Sequence, residues 1–210
     1  MSNQLNYKNY FIAAIISCIL SAVLFYSSYS AGKINLFLFL NNDFGIVADV
    51  FFTLWTNLGD GAIWAVLLFV FLKYSKKNIP LLIAAFIICT VLVQVCKYII
   101  VPNELRPVAA IQSTSLIHIV QFIEPHETAS FPSGHTSAAF SFFLIGCLLI
   151  NKKWIVPIGL LYAVLVGYSR VYVAQHFPFD VAAGMLVGVI TVGLSILIQN
   201  WWNKRKLSKQ

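Results

Sequence analysis

The sequence predicts an all-α fold, a polytopic membrane protein that forms a single domain over residues 1–210. Hydrophobic residues make up 60% of the chain and charged residues only 10%. The mean hydropathy of +0.83 lies above the range of soluble domains. Several apolar runs approach the roughly 20 residues that a helix needs to cross a bilayer. Since backbone amides in hydrocarbon must pair internally, and the alternation of a membrane barrel is absent, these runs are predicted to be helices.

Six apolar segments are candidates for transmembrane helices. They cover residues 11–29, 58–72, 79–100, 136–150, 154–173 and 179–202. Segments 58–72 and 136–150 are short, and the first gains length if it begins near Phe51. Short tails, 1–10 and 203–210, are predicted to be cytoplasmic. A cleaved signal peptide over residues 1–31 is the alternative for the first segment. The 19 mostly apolar residues 11–29 suffice to span, which favours a retained helix.

The charged residues assign the two sides of the membrane. With an inner N-terminus and alternating spans, ten of the 14 Lys and Arg residues fall inside, and only Lys33, Lys97, Arg106 and Arg170 fall outside. All seven acidic residues and all four histidines also fall outside. Because cytoplasmic loops collect Lys and Arg, this orientation is favoured. The net charge of +7 therefore reflects topology and contact with anionic membrane lipids, and no nucleic-acid partner is predicted.

Two connections between the segments are irregular. Residues 34–57 mix apolar side chains with Asn and Asp, which is typical of an outer-face loop that carries an interfacial helix. Residues 101–131 form the longest polar connection, and Pro102, Pro107 and Pro125 exclude a continuous helix there. A loop of this length in a compact protein is more often functional than filler.

The string Pro132-Ser133-Gly134-His135 immediately precedes the fourth apolar segment. Proline suits a first helical turn, serine can cap it, and glycine lets a ligand approach the backbone. Free amides at a helix N-terminus, with the helix dipole behind them, favour an anion. The string therefore fits a phosphate cradle with an attached imidazole. An ordinary helix start with an interfacial histidine is the competing interpretation.

The most specific pattern consists of Arg170, His176 and Asp180. Arg170 ends the fifth segment, and the other two residues lie in and after a short turn. A carboxylate four residues beyond a histidine can reach its ring, fix the tautomer and stabilise the imidazolium. Such an imidazole is a competent nucleophile towards phosphorus. The alternatives are that Asp180 caps the sixth helix and that His176 lies among lipid headgroups.

Lys97 and Arg106 add two more cations to this pattern. Phosphoryl transfer depends mostly on positioning and on stabilising the charge that spreads over three equatorial oxygens. An unpaired cation near the membrane is costly, so a functional partner is the default explanation. Because all three strings lie at the ends of apolar segments, the residues predict cleavage of a lipid phosphate through a histidine nucleophile, in an active site at the outer membrane interface.

Together the three strings resemble the signature of the type 2 phosphatidic acid phosphatase family of membrane lipid phosphatases, which is related to vanadium haloperoxidases. The resemblance implies that His176 is the nucleophile, that Asp180 orients it and that His135 is the general acid. It also implies a set of phosphate-binding residues: Lys97, Arg106, Ser133, Gly134 and Arg170. Eight residues separate Lys97 from Arg106, where the family usually has six, and Pro102 is expected to absorb the difference as a bulge.

The resemblance further implies removal of phosphate from a membrane lipid through a phosphohistidine, without a metal or other cofactor. The implied substrates are undecaprenyl diphosphate, phosphatidylglycerophosphate, phosphatidic acid and lipid A 1-phosphate. The expected location is a bacterial inner membrane, with the active site facing the periplasm or cell exterior. A phosphotransferase of the same family, which uses a lipid acceptor instead of water, is the second hypothesis. A non-enzymatic transporter or scaffold is the third, and the lack of an inverted repeat disfavours it.

Other polar residues receive structural interpretations. Lys33 is predicted to contact headgroups, and His118 and His126 are predicted to belong to a solvated loop cluster, with a metal site around His126 as the alternative. Asp60 is predicted to form a turn or to start a helix near the outer end of the second segment, with contact to the substrate as the alternative. Gly184 is predicted to allow close helix packing. The four cysteines show neither a disulfide framework nor metal-ligand spacing.

Overall fold

The computed structural model describes residues 5–208, apart from the side chain of Leu207. Its helices are α1 Tyr7–Ala31, α2 Lys33–Leu40, α3 Ile46–Thr56, α4 Ala62–Tyr74, α5 Ile79–Val95, α6 Pro107–Ala110, α7 Gly134–Leu149, α8 Ile155–Tyr172 and α9 Pro178–Leu207. Short 3-10 turns and one five-residue π-helical turn, Cys96–Ile100, accompany them. The described residues contain no strand, which confirms the all-α prediction.

Four helical stretches are long and apolar enough to cross a membrane. They are Tyr7–Ala31, Lys76–Ile100, Ile155–Tyr172 and Pro178–Lys206. The pair Ile46–Gly59 and Ala62–Tyr74 makes a fifth candidate, bent by 56° at its break. Helix α7 is apolar but has only 16 residues, about 24 Å at the rise of an α-helix. By length and composition the described chain therefore has four spanning helices, or five if the bent pair counts as one.

Helices α7 and α9 form the centre of the bundle, and α1, α5 and α8 pack around them. Phe140, Leu144 and Leu148 on α7 are completely buried. A Cβ atom on Gly184 of α9 would lie 2.8 Å from the carbonyl oxygen of Ser133, so the close packing predicted for this glycine is confirmed. This contact brings the start of α7 directly against the first half of α9, where two of the motif strings lie.

The lysine-rich loops gather at one end of the bundle. Asn6, just before α1, donates a backbone hydrogen bond to the carbonyl of Leu148 at the end of α7, at 2.7 Å. The backbone of Leu81, in the first turns of α5, donates to the side-chain oxygen of Gln199 near the end of α9, at 2.9 Å. The first contact joins the end of α7 to the residues before α1, and the second joins the start of α5 to the last part of α9. The lysine-rich loops after α4 and α7 therefore lie at the same face as both terminal segments, and we call this face the basic end. The three motif strings lie at the opposite face, the site end.

The second predicted segment differs most from the structure. Helical residues begin at Ile46 and continue, across a break near Gly59, to Tyr74. Residues 34–57, predicted to be a loop with one interfacial helix, contain most of α2 and all of α3. Of the polar residues that indicated a loop, Asn41, Asn42 and Asp43 lie before α3, whereas Asp49 lies in its first turn. Asp60 accepts a hydrogen bond from the backbone of Ala62 at 2.8 Å, which confirms that it starts a helix.

The long connection 101–131 is irregular, as its prolines predicted, and holds only α6 and the 3-10 turn Thr114–Leu116. The terminal helices extend into both predicted tails, since α1 begins at Tyr7 and α9 ends at Leu207. Residues 1–4 and 209–210 of those tails lie outside the described residues. All four cysteines are free thiols, and Cys89 and Cys147 are buried.

Candidate active site

A tight turn between α8 and α9 positions His176. The backbone amides of Gln175 and His176 both donate to the carbonyl of Arg170, at 2.9 and 3.1 Å, so the chain folds back over the end of α8. Pro178 then begins α9, as proline often does at a first helical position. The His176 side chain is only 2% exposed, and that of Asp180 is completely buried. The turn thus places the predicted nucleophile and its predicted partner inside the protein.

Asp180 both starts α9 and faces the imidazole. Its Oδ2 atom accepts hydrogen bonds from the backbone of Phe177 at 3.0 Å and from the hydroxyl of Ser130 at 2.5 Å. The same oxygen lies 3.6 Å from Nδ1 of His176, which is longer than a hydrogen bond. Within the described chain, Nδ1 of His176 and Oδ1 of Asp180 are buried without a partner. Because Nδ1 faces the carboxylate, Nε2 is the ring nitrogen available for reaction.

Arg106 is held rigidly by the long connection and the His176 turn. Its Nε donates to the carbonyl of Thr128 at 2.9 Å, and one terminal nitrogen donates to the side-chain oxygen of Gln175 at 2.5 Å. Gln175 is itself fixed, since its amide nitrogen donates to the carbonyl of Glu124 at 3.1 Å. Arg106 is only 7% exposed, so its charge is directed into the site rather than towards solvent.

Arg170, at the C-terminal end of α8, is equally buried at 7% exposure. A terminal guanidinium nitrogen donates to the hydroxyl of Thr56 at 2.6 Å. Its Nε is buried and has no hydrogen-bond partner within the described chain. A buried guanidinium with a free donor is suited to binding an anionic oxygen.

Lys97 reaches the site because of the π-helical turn at the end of α5. The backbone of Val101 donates to the carbonyl of Cys96 at 2.9 Å, the i to i+5 spacing of a π-helix. Such a turn holds one more residue than a turn of α-helix. Pro102, which was expected to absorb the longer spacing to Arg106, lies just beyond this turn. Lys97 lines the same cavity as Gly134 and His135.

Ser133 caps α7, as its position predicted. Its hydroxyl oxygen accepts from the backbone of Thr136 at 3.4 Å and from the Thr136 hydroxyl at 2.9 Å. The Ser133 backbone donates to the carbonyl of Asp180 at 3.0 Å, which links this string to the third. In the first turn of α7, the amides of Gly134 and His135 have no intrahelical acceptor. They are therefore available to an anion at the helix N-terminus.

A cavity adjoins these residues. Its volume is about 280 Å³, and its lining includes the polar residues Lys97 and His135, the backbone of Gly134, and the aromatic residues Trp64 and Phe86. A second cavity of about 250 Å³ shares Trp64 and Phe86 and continues between α4 and α5 past apolar side chains. Together the two cavities lead from the cations into the apolar wall of the bundle, a shape that suits an amphiphile.

The electrostatic environment keeps the imidazole of His176 neutral. Burial lowers the pKa of His176 well below its usual range, and the positive charges of Arg106, Arg170 and Lys97 lower it further. Burial also lowers the pKa of Arg106, yet a guanidinium remains charged under physiological conditions. A neutral histidine among fixed cations is prepared to meet an anion and to act as a nucleophile.

One expectation about the outer polar residues is wrong. His118 is not solvated, because its ring is 11% exposed and its Nε2 lies 2.8 Å from a carboxylate oxygen of Asp49. It was misjudged because its partner is distant in the sequence. Lys33, predicted to contact headgroups, forms an ion pair with Glu104 and lies over the ring of Phe177, with Nζ 4.3 Å from the ring centre.

Within the described chain, one group of His and acidic side chains is close enough to hold a metal ion: Asp43, Asp49 and His118. Hydrogen bonds explain why Asp49 and His118 lie together without a metal ion, since the hydroxyl of Tyr172 also donates to Asp49 at 2.7 Å. None of the predicted site residues belongs to this group. His126 is exposed, as expected for a loop histidine.

All eight predicted site residues come together at the site end, but three of their immediate partners were missed. Ser130 bonds to Asp180, Gln175 bonds to Arg106 and Thr56 bonds to Arg170. Ser130 and Gln175 flank the motif strings, so their positions were a signal that they lay near the site. Thr56 had no such signal, since it lies in a stretch predicted to be a loop.

Comparison with known proteins places this arrangement in a family. The model of the PAP2 superfamily matches residues 79–204, which include every predicted site residue. The chain is 38% identical over 144 residues to an undecaprenyl-diphosphatase from Sulfolobus acidocaldarius, covering 68% of this chain and 65% of that protein. It is 38% identical over 74 residues to undecaprenyl-diphosphatase BcrC from Bacillus subtilis, covering 35% of this chain and 37% of that protein. The match thus spans less than two thirds of either relative.

Solved structures give the same result. The crystal structure of Aquifex aeolicus LpxE superposes with a TM-score of 0.68 at 33% identity, covering 78% of this chain and 94% of that one. A PAP2-type phosphatidylglycerolphosphate phosphatase from Bacillus subtilis superposes with a TM-score of 0.62 over 93% of this chain and 96% of that one; at 21% identity it supports the fold alone. The motif strings, the assembled site and the family match lead to one conclusion: this chain is a membrane protein of the PAP2 superfamily.

Proposed function

We propose that this chain is a lipid phosphatase that hydrolyses the phosphate ester or diphosphate of a membrane lipid, without a metal ion, through a phosphohistidine intermediate. The observation that carries the proposal is the buried pair of His176 and Asp180, surrounded by the charges of Arg106, Arg170 and Lys97. This cluster adjoins a cavity whose lining includes both polar and aromatic residues. The relatives whose names describe phosphatases of lipid substrates support the same activity.

In the first step, Nε2 of His176 attacks the phosphorus atom, and the bond from phosphorus to the lipid oxygen breaks. His135 donates a proton to the departing oxygen. Lys97, Arg106 and Arg170, with the hydroxyl of Ser133 and the backbone of Gly134, stabilise the equatorial oxygens as negative charge spreads over them. Asp180 stabilises the imidazolium that forms on His176.

In the second step, water attacks the phosphohistidine. His135, now neutral, accepts a proton from that water as the new bond to phosphorus forms. The bond from phosphorus to nitrogen then breaks, inorganic phosphate leaves, and both histidines return to their starting states. Each role follows from the position of the side chain: His176 is buried beneath the cations, while His135 lines the cavity from which lipid and water approach.

The substrate class follows from the relatives and from the cavity. The relatives are named as phosphatases of undecaprenyl diphosphate, phosphatidylglycerophosphate and lipid A. In this chain the apolar cavity between α4 and α5 is suited to the first part of a lipid tail. We therefore place undecaprenyl diphosphate, phosphatidylglycerophosphate, phosphatidic acid and lipid A 1-phosphate as candidate substrates. A phosphotransferase shares the first step and differs only in using a lipid hydroxyl in place of water.

Purified protein is expected to release inorganic phosphate from one or more of these four lipids in the presence of a metal chelator. The three site cations stabilise the phosphoryl group, so a divalent ion has no role to fill. The measurement is phosphate release with and without EDTA, and lipid products are compared with and without an added acceptor lipid. Activity that disappears in EDTA and returns with magnesium would count against the histidine mechanism. A phosphorylated acceptor would identify a phosphotransferase.

We further propose six spans in a bacterial inner membrane, with both termini cytoplasmic and the active site facing the periplasm or cell exterior. The six are α1, the bent pair α3 and α4, α5, α7, α8 and α9. Helix α7 is short for a transmembrane helix, but it lies within the bundle, where most of its side chains contact protein. The separation of the basic end from the site end supports this orientation, because cytoplasmic loops collect Lys and Arg.

A reporter fused after the C-terminus is expected to be cytoplasmic, and one inserted in the exposed loop near His126 is expected to be external. The measurement uses paired reporters, one active only inside the cell and one active only outside. The paired insertion is the control, because the two positions must give opposite results in a protein with this topology. An external C-terminus would invert the proposed orientation and place the active site at the cytoplasmic face.

A further inference from the structure

The break between α3 and α4 enters the active site. Thr56, just before the break, accepts a hydrogen bond from Arg170 at 2.6 Å. At Gly59, an added Cβ would lie 2.8 Å from the carbonyl oxygen of His135, so only glycine allows the break to approach so closely. Asp60, the next residue, places Oδ2 3.8 Å from Nε2 of His135. The bent span therefore contributes three contacts to the residues of the proposed mechanism.

The two carboxylate oxygens of Asp60 have different neighbours. Oδ1 accepts the backbone hydrogen bond of Ala62 at 2.8 Å and so starts α4, whereas Oδ2 faces the His135 ring. The Asp60 side chain is 51% exposed and that of His135 is 29% exposed. Starting the helix needs only an oxygen acceptor, which asparagine also provides. The effect of Asp60 on the imidazole depends on its negative charge, which asparagine lacks.

His135 needs a counter-charge because of its surroundings. Burial disfavours a charge on the His135 ring, and Arg170, Lys97 and Arg106 lie close enough for their positive charges to act on it. His176 is neutral, and Tyr98 lines the same cavity as His135. Positive neighbours disfavour a protonated imidazole, yet a general acid must carry the proton that it donates. Within the described chain, the carboxylate within 4 Å of the His135 ring is that of Asp60. Its charge opposes that of the three cations.

Building on the proposed function, we propose that Asp60 is a positioning residue that keeps His135 protonated and oriented for proton donation to the leaving lipid oxygen. A protonated imidazole carries a hydrogen on each ring nitrogen. With Nε2 held towards Asp60, the proton on Nδ1 is the one that transfers to the lipid oxygen as its bond to phosphorus breaks. His135 is neutral afterwards, and it regains the proton from the water that attacks the phosphohistidine. Asp60 keeps its charge throughout.

The test compares Asp60→Asn with wild type on two substrates, the lipid monoester phosphatidic acid, whose leaving group is a basic alkoxide, and p-nitrophenyl phosphate. The nitrophenolate leaves without a proton, so kcat for it should change by less than about twofold, whereas kcat for the lipid should fall by about tenfold. Asp60→Glu should recover part of this loss. The alkaline limb of the pH profile on the lipid should move to lower pH in Asp60→Asn, since His135 then loses its proton more readily. Asp43→Asn is the matched control, because Asp43 also accepts a backbone hydrogen bond two residues on, from Gly45 at 2.7 Å.

The His135→Ala background separates this proposal from the proposed function. If His135 is the general acid and Asp60 acts through it, adding Asp60→Asn to His135→Ala should cause no further loss with the lipid. A further tenfold loss in that background, equal losses on both substrates, or wild-type activity of Asp60→Asn on the lipid would each overturn the role of Asp60. In each of these cases the proposed function would still stand if the His176 variants, and only those variants, lost all phosphatase activity. Thermal unfolding of each variant shows whether the fold is intact.

Discussion

His176→Ala is expected to lower phosphate release by about 10⁴–10⁶-fold, because it removes the nucleophile on which both steps depend. The loss should be the same for lipid phosphates and for p-nitrophenyl phosphate, since each must form the phosphohistidine. The ring is buried and held beside Asp180, and the chain offers no second histidine in the same position relative to the three cations. A small residual rate from attack by water is the most that the remaining charges could support.

The covalent intermediate provides a direct measurement of this role. A radiolabelled phosphoryl group should be trapped on His176 after a rapid alkaline quench, because phosphohistidine is labile in acid. His176→Asn preserves polarity in the buried position and tests whether folding is maintained, and His126→Ala controls for the loss of an exposed histidine from the site end. An adduct on His135, or full activity of His176→Ala, would show that the catalytic roles are assigned wrongly. Either result would leave the membership of the family unchanged.

His135→Ala is expected to lower kcat on lipid phosphates by about 10²–10⁴-fold, the usual contribution of general acid catalysis. The departing oxygen of a lipid phosphate monoester is a strongly basic alkoxide and needs a proton, whereas nitrophenolate does not. The loss should therefore shrink steadily along a series of aryl phosphates whose leaving groups become more acidic. The position of His135 in the lining of the cavity, where the lipid oxygen must lie, is the physical reason for this expectation.

The measurement is a plot of log kcat against leaving-group acidity for wild type and for His135→Ala. A steeper slope in the variant would support the general acid, while parallel lines would assign His135 to binding alone. His118→Ala offers a comparison with another largely buried histidine of the site end, since its ring bonds to Asp49 away from the motif residues. Its slope should match that of wild type even if its stability is reduced.

Much of the fold and of the site follows from local patterns. The apolar segments predict helices because a chain in hydrocarbon must form its backbone hydrogen bonds internally. The described residues of the six segments are helical, apart from short turns within them and at their ends. Ser133 caps α7 as its position predicts. Asp180 lies in the first turn of α9 and accepts from the Phe177 amide, so the capping role that was its alternative interpretation is also observed. The spacing of His176 and Asp180 is likewise local, because a turn followed by a helix brings residues four apart to one side.

The tertiary structure alone decided the contacts between distant parts of the chain. The approach of Asp60 to His135 and the bond from Thr56 to Arg170 join residues more than 70 positions apart. The bend between α3 and α4 likewise became visible only in the folded chain. The ion pair of Lys33 with Glu104 and the contact of His118 with Asp49 also join distant residues, and the surroundings of His118 were misjudged for that reason. A periodic pattern reports which face of a helix is apolar, but it does not report which neighbour that helix meets. Burial then sets the charge states, so the neutral nucleophile among three cations is a property of the assembled bundle.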